Sequence, residues 1–492
     1  MINYDPRELN LALLTDLYEM TMIQGYYLLN KNEPAVFDMF FRSNPFDGGY
    51  TVFAGLEIFL KAVENMKFTP EDIDFLRKQD EFKDEFLDYL KEFRFTGNIY
   101  AVEEGEIVFP NEPLIRVEAP IVESQLVETM LLNLVNFPTL IATKTSRIIE
   151  QAKGRGVLDF GLRRAQGIDG GVSASRSAYI GGAAGTSNVL AGKIYGIPVS
   201  GTMAHSWIMY FGDDLDAFRK YSEVYPQNSV LLVDTYDTLK KGMPAAIKVF
   251  QEMKQKNIEG LKAIRLDSGD LEYLSKQARK MLDDAGLEDV KIAASSELDE
   301  YIINELTNKE APIDLFGVGT KLVTAHDDPS LDGVYKIMAK KTKTGYEPLI
   351  KVSNNPEKTS IPGIKNVLRL YDEEDIMLGD LVFLEEERKE IEKKLERNEP
   401  FEYFHPKIPY QYKTIDDYKK GEFLLKPVME NGRIQYEFPS LNEIREKKKK
   451  SFDQLHSSHK RLLNPHIYKV SLSEKLSTLR VDMIKEYLKE MK

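Results

Sequence analysis

The chain has 492 residues, with 79 acidic against 66 basic side chains and a formal net charge of -13. Apolar residues at 42%, charged residues at 29% and a mean hydropathy of -0.37 describe a globular chain too long for one hydrophobic core, so two or three domains are expected. The acidic balance argues against nucleic acid as a partner and the lack of a long uninterrupted apolar run against a membrane span, while the absence of cysteine excludes disulfides, thiolate zinc sites and cysteine nucleophiles and fits a cytoplasmic location.

The opening "MINYDPRELN" lacks a basic stretch followed by an apolar one, so no signal peptide is expected. Residues 1–140 read as an N-terminal α+β domain. "TDLYEMTMIQGYYLL" has helical spacing, with Asp16 and Glu19 placed as a capping box. "GNIYAVEEGEIVFPNEPLIRVEAP" reads as short strands punctuated by Gly and Pro, and "ESQLVETMLLNLVNF" as a helix that ends before Pro138.

Residues 141–335 have a different texture. Short apolar runs, "GVLDF", "GIPVSG", "SVLLVDT", "KAIRLD", "VKIAAS" and "IDLFGVG", alternate with helical patterns such as "GMPAAIKVFQEMKQ", "LEYLSKQARKMLDDAG" and "ELDEYIINELTN". This repetition predicts a parallel sheet covered on both faces. Nearly every run ends in a polar residue or glycine: Asp159, Ser200, Asp234, Asp267, Ser295 and Gly317. Enzymes on parallel sheets collect their chemistry at those ends, and with no G-x-G-x-x-G opening the first βα unit an α/β barrel is preferred to an open sheet. "GAAGTSNVLAGKI" has only the look of a phosphate loop, because Ile194 stands where Ser or Thr is required.

Residues 336–492 form a charged C-terminal region expected to pair partly with the N-terminal domain. "LEEERKEIEKKLERNE" reads as a solvated helix and Lys447–Lys450 as an exposed helical turn. "KNVLRLYDEEDIMLGDLVFL" reads as a hairpin that could join the N-terminal strands.

Chemistry concentrates in a few segments. Lys144, Arg147, Lys153, Arg155, Arg163, Arg164 and Arg176 make a basic island in an acidic chain, suited to a small anionic substrate or else scattered over the surface. In "DFGLRRAQGIDGG", Phe160 could offer a ring face and Arg163 or Arg164 a two-pronged carboxylate partner. In "IRLDSGD", Arg265 could meet an anion and Asp267 a ribose or magnesium, although Asp267 and Asp270 could equally make a cap and a turn. "FGVGTKL" places Gly317, Gly319 and Thr320 where free N–H groups and a hydroxyl could hold a phosphate. Asp234 and Asp237 add carboxylates at a strand end. In "GIPVSGTMAHSW", His205 either fills a tight turn or faces a substrate; beside a phosphate site its neutral imidazole could attack a phosphoryl group.

"DFGLRRAQGIDGGVSASRSAYIGG", "TSNVLAGK" and "VSGTMAHSW", in order with "LLTDLYEMTM", "IRLDSGD", "FGVGT", "KNVLRLYD" and "KRLLNPHIYKVSLS", make the chain resemble the nicotinate phosphoribosyltransferase family over nearly its whole length. The resemblance implies an irregular TIM-like α/β barrel of the type II phosphoribosyltransferase fold, with an α+β N-terminal domain and a C-terminal extension. It implies transfer of phosphoribose from phosphoribosyl pyrophosphate to nicotinate, the first step of NAD salvage from nicotinate, with ATP as co-substrate through a phosphohistidine at His205 and with Mg2+. By the same resemblance Phe160 and Tyr18 sandwich the pyridine, Tyr18 coming from the second subunit of a homodimer. Arg163, Arg265 and Thr202 face the nicotinate carboxylate and nearby anions; Asp267 lies by the ribose and Mg2+, and Asp234 joins the metal. Ser295, Gly319 and Thr320 hold the 5-phosphate.

The nearest rival is the nicotinamide phosphoribosyltransferase family, in which an aspartate stands near the position of Ser187. Its absence here removes a carboxylate that would repel an acid. Quinolinate phosphoribosyltransferase lacks the histidine motif, and no lost motif residue points to a silent scaffold.

Overall fold

A computed structural model describes residues 10–353, 358–408 and 410–490. Residues 1–9, on which most of the signal-peptide expectation rests, lie outside them. The chain divides into two compact units, one of residues 1–140 with 330–492 and one of residues 141–329.

The second unit is the parallel sheet that the apolar runs predict. Its six strands lie in the order Gly185–Thr186, Gly156–Asp159, Leu315–Val318, Lys291–Ser296, Leu261–Leu266 and Asn228–Leu232, every neighbouring pair parallel. The strand interiors are almost wholly buried, as covering helices require. These include Met243–Gln255, Leu271–Asp284 and Glu300–Asn308, the last two capped by Asp270 and Asp299 on the N–H groups of Tyr273 and Ile302. The sheet is an incomplete barrel. "GIPVSG" does not form the strand expected of it: Pro198 interrupts the run, and only a single parallel bridge joins Thr186 to Val199.

The first unit holds two larger sheets. One has seven strands in the order Gly345–Pro348, Gly333–Thr342, Pro34–Phe41, Ile115–Pro120, Asn98–Ala101, Lys426–Glu430 and Arg433–Ile434. Strands from both chain ends therefore share it, and residue 335 lies inside one of them. The expected hairpin, Lys365–Tyr371 with Met377–Leu384, is present but belongs to the other sheet, where it pairs with Lys420–Phe423 and Val470–Leu472. Its alternate residues Leu368, Leu370, Leu381 and Phe383 pack on Phe401 and Tyr403 in a buried cluster, which fixes that placement.

Three further expectations are corrected by packing. The helix Leu17–Leu28 forms, but Asp16 makes no side-chain cap: it accepts the Thr129 hydroxyl at 2.7 Å, and Glu19 is buried on Gln125 Nε2 at 2.6 Å. The helix Glu128–Ala152 runs through Pro138. Proline leaves the carbonyl of Leu134 without a helical donor, and that oxygen lies against Gly55, where a Cβ would stand only 2.2 Å away. The neighbouring Thr139 hydroxyl bonds the main chain of Ala54 at 3.1 and 3.2 Å. In the lysine run, Lys447 pairs with Glu103 at 2.6 Å and Lys448 is buried, so only part of that helical turn is solvated. By length and composition the stretch Ile121–Ala152 could cross a membrane, yet 61% of its most apolar window is buried within the fold.

Candidate active site

At the carboxyl ends of the parallel strands lies an open cleft of 470 Å³. Phe160, Arg163, Thr202, Arg265, Asp267, Ser295, Gly319 and Thr320 all line it. They come from four different strand ends and the loop before His205, which only a parallel sheet brings to one mouth.

Arg265 is the hub. Its Nε donates to Ser295 Oγ at 2.7 Å, Nη1 to Thr202 Oγ1 at 2.7 Å and Nη2 to Asp267 Oδ1 at 2.6 Å. The guanidinium also lies 5.7 Å from the centre of the Phe160 ring. The Ser295 hydroxyl donates in turn to Asp267 Oδ1. A planar fork held on three sides presents its charge in one orientation, which a lysine would not.

Phe160 owes its position to two glycines. A Cβ on Gly317 would fall 2.5 Å from Phe160 Cδ2, and one on Gly161 2.6 Å from Val323 Cβ. Gly317 thus seats the ring across the neighbouring strand. The helix after Gly319 is a single turn, Thr320–Val323.

His205 opens the helix His205–Phe211 and its side chain is 40% exposed. Nε2 lies 3.3 Å from Asp234 Oδ1. The other oxygen of Asp234 accepts the Asp267 N–H at 2.8 Å and the Ser268 hydroxyl at 2.7 Å. Trp207 serves packing: its Nε1 donates to the Ala217 carbonyl at 3.0 Å and its ring lies 5.0 Å from that of Phe211.

Other candidates have structural work. Asp237 caps the turn that follows it through the Lys240 N–H, and Asp270 caps a helix. Of the basic island only Arg163 and Arg164 line the cleft. Lys144 and Arg147 are buried on Glu300 at 2.8 and 3.0 Å, Arg176 is buried, and Lys153 donates to Asn308. Tyr18 belongs to the first unit and is half exposed. Burial first, then its hydrogen bond to Glu19, pushes its hydroxyl above the ordinary range, while burial pushes Glu19 up to about 7 against the pull of Tyr18 and Gln125.

Ser296, which also lines the cleft, has φ of 132°, a strained value for a residue with a side chain, and no sequence signal marks it. Below the cleft, behind Phe160 and Arg265, a mostly apolar chamber of 370 Å³ continues into the barrel. No cluster of three or more metal-ligating side chains occurs among the described residues.

A parallel, barrel-like sheet with an arginine-centred cleft at its carboxyl ends, in a chain whose other unit draws its strands from segments before and after that sheet, is the architecture of a type II phosphoribosyltransferase. Family models described as the nicotinate phosphoribosyltransferase N-terminal domain, family and C-terminal domain match residues 13–136, 156–393 and 364–480. Nicotinate phosphoribosyltransferase of Bacillus subtilis is 43% identical over 99% of this chain and 98% of its own length. The pncB2 nicotinate phosphoribosyltransferase of Mycobacterium tuberculosis is 40% identical over 94% and 92%. The crystal structure of human nicotinic acid phosphoribosyltransferase is 28% identical and superposes with a TM-score of 0.82, covering 95% of this chain and 99% of its own. The chain belongs to the nicotinate phosphoribosyltransferase family.

Proposed function

We propose that this cleft joins nicotinate to the anomeric carbon of phosphoribosyl pyrophosphate, giving nicotinate mononucleotide and pyrophosphate, with ATP hydrolysis coupled through His205. The observation that carries the reading is the Arg265 fork, tied to Thr202, Ser295 and Asp267 beside the Phe160 ring. Phe160 offers a face to the pyridine, Arg163 and Arg265 offer charge to its carboxylate, and Ser295, Gly319 and Thr320 take the 5-phosphate. Ring-nitrogen attack needs nucleophile and leaving group held in line while pyrophosphate charge is neutralised, work that positioning and fixed cations perform.

For ATP coupling, the bond from His205 Nε2 to Asp234 leaves the Nδ1 lone pair free to attack the terminal phosphorus of ATP, forming an N–P bond as the bond from that phosphorus to the β-phosphate oxygen breaks and ADP leaves. The resulting imidazolium keeps its Nε2 proton facing the Asp234 carboxylate, which offsets the positive charge. Water later cleaves the N–P bond to release phosphate. Magnesium fits the donor set. Asp267 Oδ2 has no protein donor among the described residues, and a hard cation that keeps waters and takes its other ligands from phosphates needs only one such carboxylate. Asp234, with both oxygens engaged, orients His205 before it could serve as a ligand. Bound there, Mg2+ would offset phosphate charge.

Tyr18 of a second copy closes the ring sandwich in this reading, which makes the homodimer part of the site, and the setting is cytoplasmic. Ser187 lines the cleft and places no carboxylate on that wall to repel the acid. Incubation with γ-labelled ATP tests the coupling: acid-labile label should appear on the chain and vanish in His205→Ala. Product formation with nicotinate should exceed that with nicotinamide, and equal rates would overturn the selectivity for the acid.

A further inference from the structure

Asp159 ends the strand Gly156–Asp159 and is 1% exposed. Its carboxylate collects three donors: the Gly161 N–H on Oδ1 at 2.9 Å, and the hydroxyls of Ser175 and Thr186 on Oδ2 at 2.8 and 2.7 Å. Its main-chain carbonyl takes the Ser187 N–H at 2.9 Å. Thr186 Oγ1 also accepts the Asn188 N–H at 3.0 Å, and the Asn188 amide donates to the Gly171 carbonyl at 3.2 Å. The two acceptor groups of one residue thus fix two separate stretches of the cleft wall, the Phe160–Arg164 loop and Ser187, whose side chains line the site while that of Asp159 does not.

A buried carboxylate is an expensive way to close a turn. Among the described residues Asp159 has no ion pair, so three neutral donors alone offset its lost hydration, where an amide or hydroxyl would have served a mere scaffold at lower cost. What the charge adds is strength, because bonds to an ionised acceptor are roughly twice as strong as neutral ones. A wall stiffened in this way holds a flat ring to within about 0.5 Å of its productive place.

We propose that Asp159 is a positioning residue for the pyridine acid, acting through the Phe160 loop and Ser187 to set affinity for that substrate and not for phosphoribosyl pyrophosphate. The proposal rests on the reading of Phe160 as the stacking face. Its test measures the two KM values, kcat and the thermal midpoint for Asp159→Asn and for the shape-preserving Thr186→Val, with Thr186→Ser as the conservative rescue and Phe160→Ala as the control. Thr186→Val should raise the nicotinate KM about tenfold and leave the other KM within about twofold, as expected when the charge-assisted hydrogen bond to Asp159 is lost along with the acceptor of the Asn188 N–H. Thr186→Ser should recover most of that loss, and Asp159→Asn should exceed it. If Thr186→Val lowers the midpoint with both KM values unchanged, or raises both together, Asp159 is only structural and the proposal falls. If Phe160→Ala raises the nicotinate KM and Thr186→Val does not, the proposal falls while the stacking reading stands. If Phe160→Ala itself has no effect on that KM, both fall.

Discussion

His205 Nε2 stands 3.3 Å from Asp234 Oδ1, and Asp234 cannot turn away because the Asp267 N–H and the Ser268 hydroxyl hold its other oxygen. The pair fixes which imidazole nitrogen carries the proton. Asp234→Asn keeps the shape but can place an N–H against Nε2, which favours the wrong tautomer and removes the charge that offsets a phosphorylated ring. Acid-labile label from γ-labelled ATP should fall by about a hundredfold or more, the scale seen when a carboxylate that orients a catalytic histidine is neutralised. Retention of full labelling would assign Asp234 to packing alone.

The fork of Arg265 has three different acceptors at 2.6 to 2.7 Å, so its geometry should matter as much as its charge. Arg265→Lys keeps the charge and can satisfy at most part of that set from a point donor. A loss of about ten- to a hundredfold in kcat/KM for nicotinate is expected, with the thermal midpoint nearly unchanged because the residue stands at the cleft and outside the core. Steady-state kinetics with both substrates, beside a melting curve, check this.

Part of this site is visible in the sequence because a parallel strand is an apolar run that stops abruptly near the cleft: Asp267, Ser295 and Gly317 are run-end residues that line it, whereas Asp159 and Asp234 lie behind it and Phe160 and Arg265 stand out through the motifs around them. Pairings between distant segments leave no such mark. Lys144 and Arg147 look like substrate-binding cations until Glu300, from a helix far along the chain, is seen to neutralise them. The same holds for Pro138, whose helix continues because Gly55 makes room for the carbonyl that the proline leaves unpaired. Asp16 and Glu19 have the spacing of a capping box, yet burial turns Glu19 toward Gln125 instead. Local pattern thus marks where chemistry can be placed, and tertiary contact decides which charges remain for it.

Gly317 offers a steric test of the ring seat. A methyl group there would stand 2.5 and 2.6 Å from Phe160 Cδ2 and Cε2, too close for any rotamer to keep the present position. Since the clash is with a side chain at the edge of a cleft, Gly317→Ala should fold, with an overpacking cost of about 1–3 kcal/mol. The displaced ring should raise the nicotinate KM by about tenfold or more. A variant with unaltered kinetics and a lowered midpoint would detach the ring's placement from binding.

Glu19 predicts a pH dependence of stability that runs opposite to that of most carboxylates. Burial pushes its folded pKa up to about 7 from an ordinary 4.5, against hydrogen bonds from Tyr18 and Gln125 that pull it down. Between those two values the folded chain holds a proton that the unfolded chain has released, so stability falls as pH rises through the window and levels off above about 7. Below about 4.5 both states are protonated and the penalty is absent. Glu19→Gln carries no such proton, so its unfolding free energy should gain on the parent progressively from pH 5 to pH 7.5. Denaturant titrations of both proteins across that range read the difference directly, and parallel curves would mean that Glu19 ionises in the fold as it does in water.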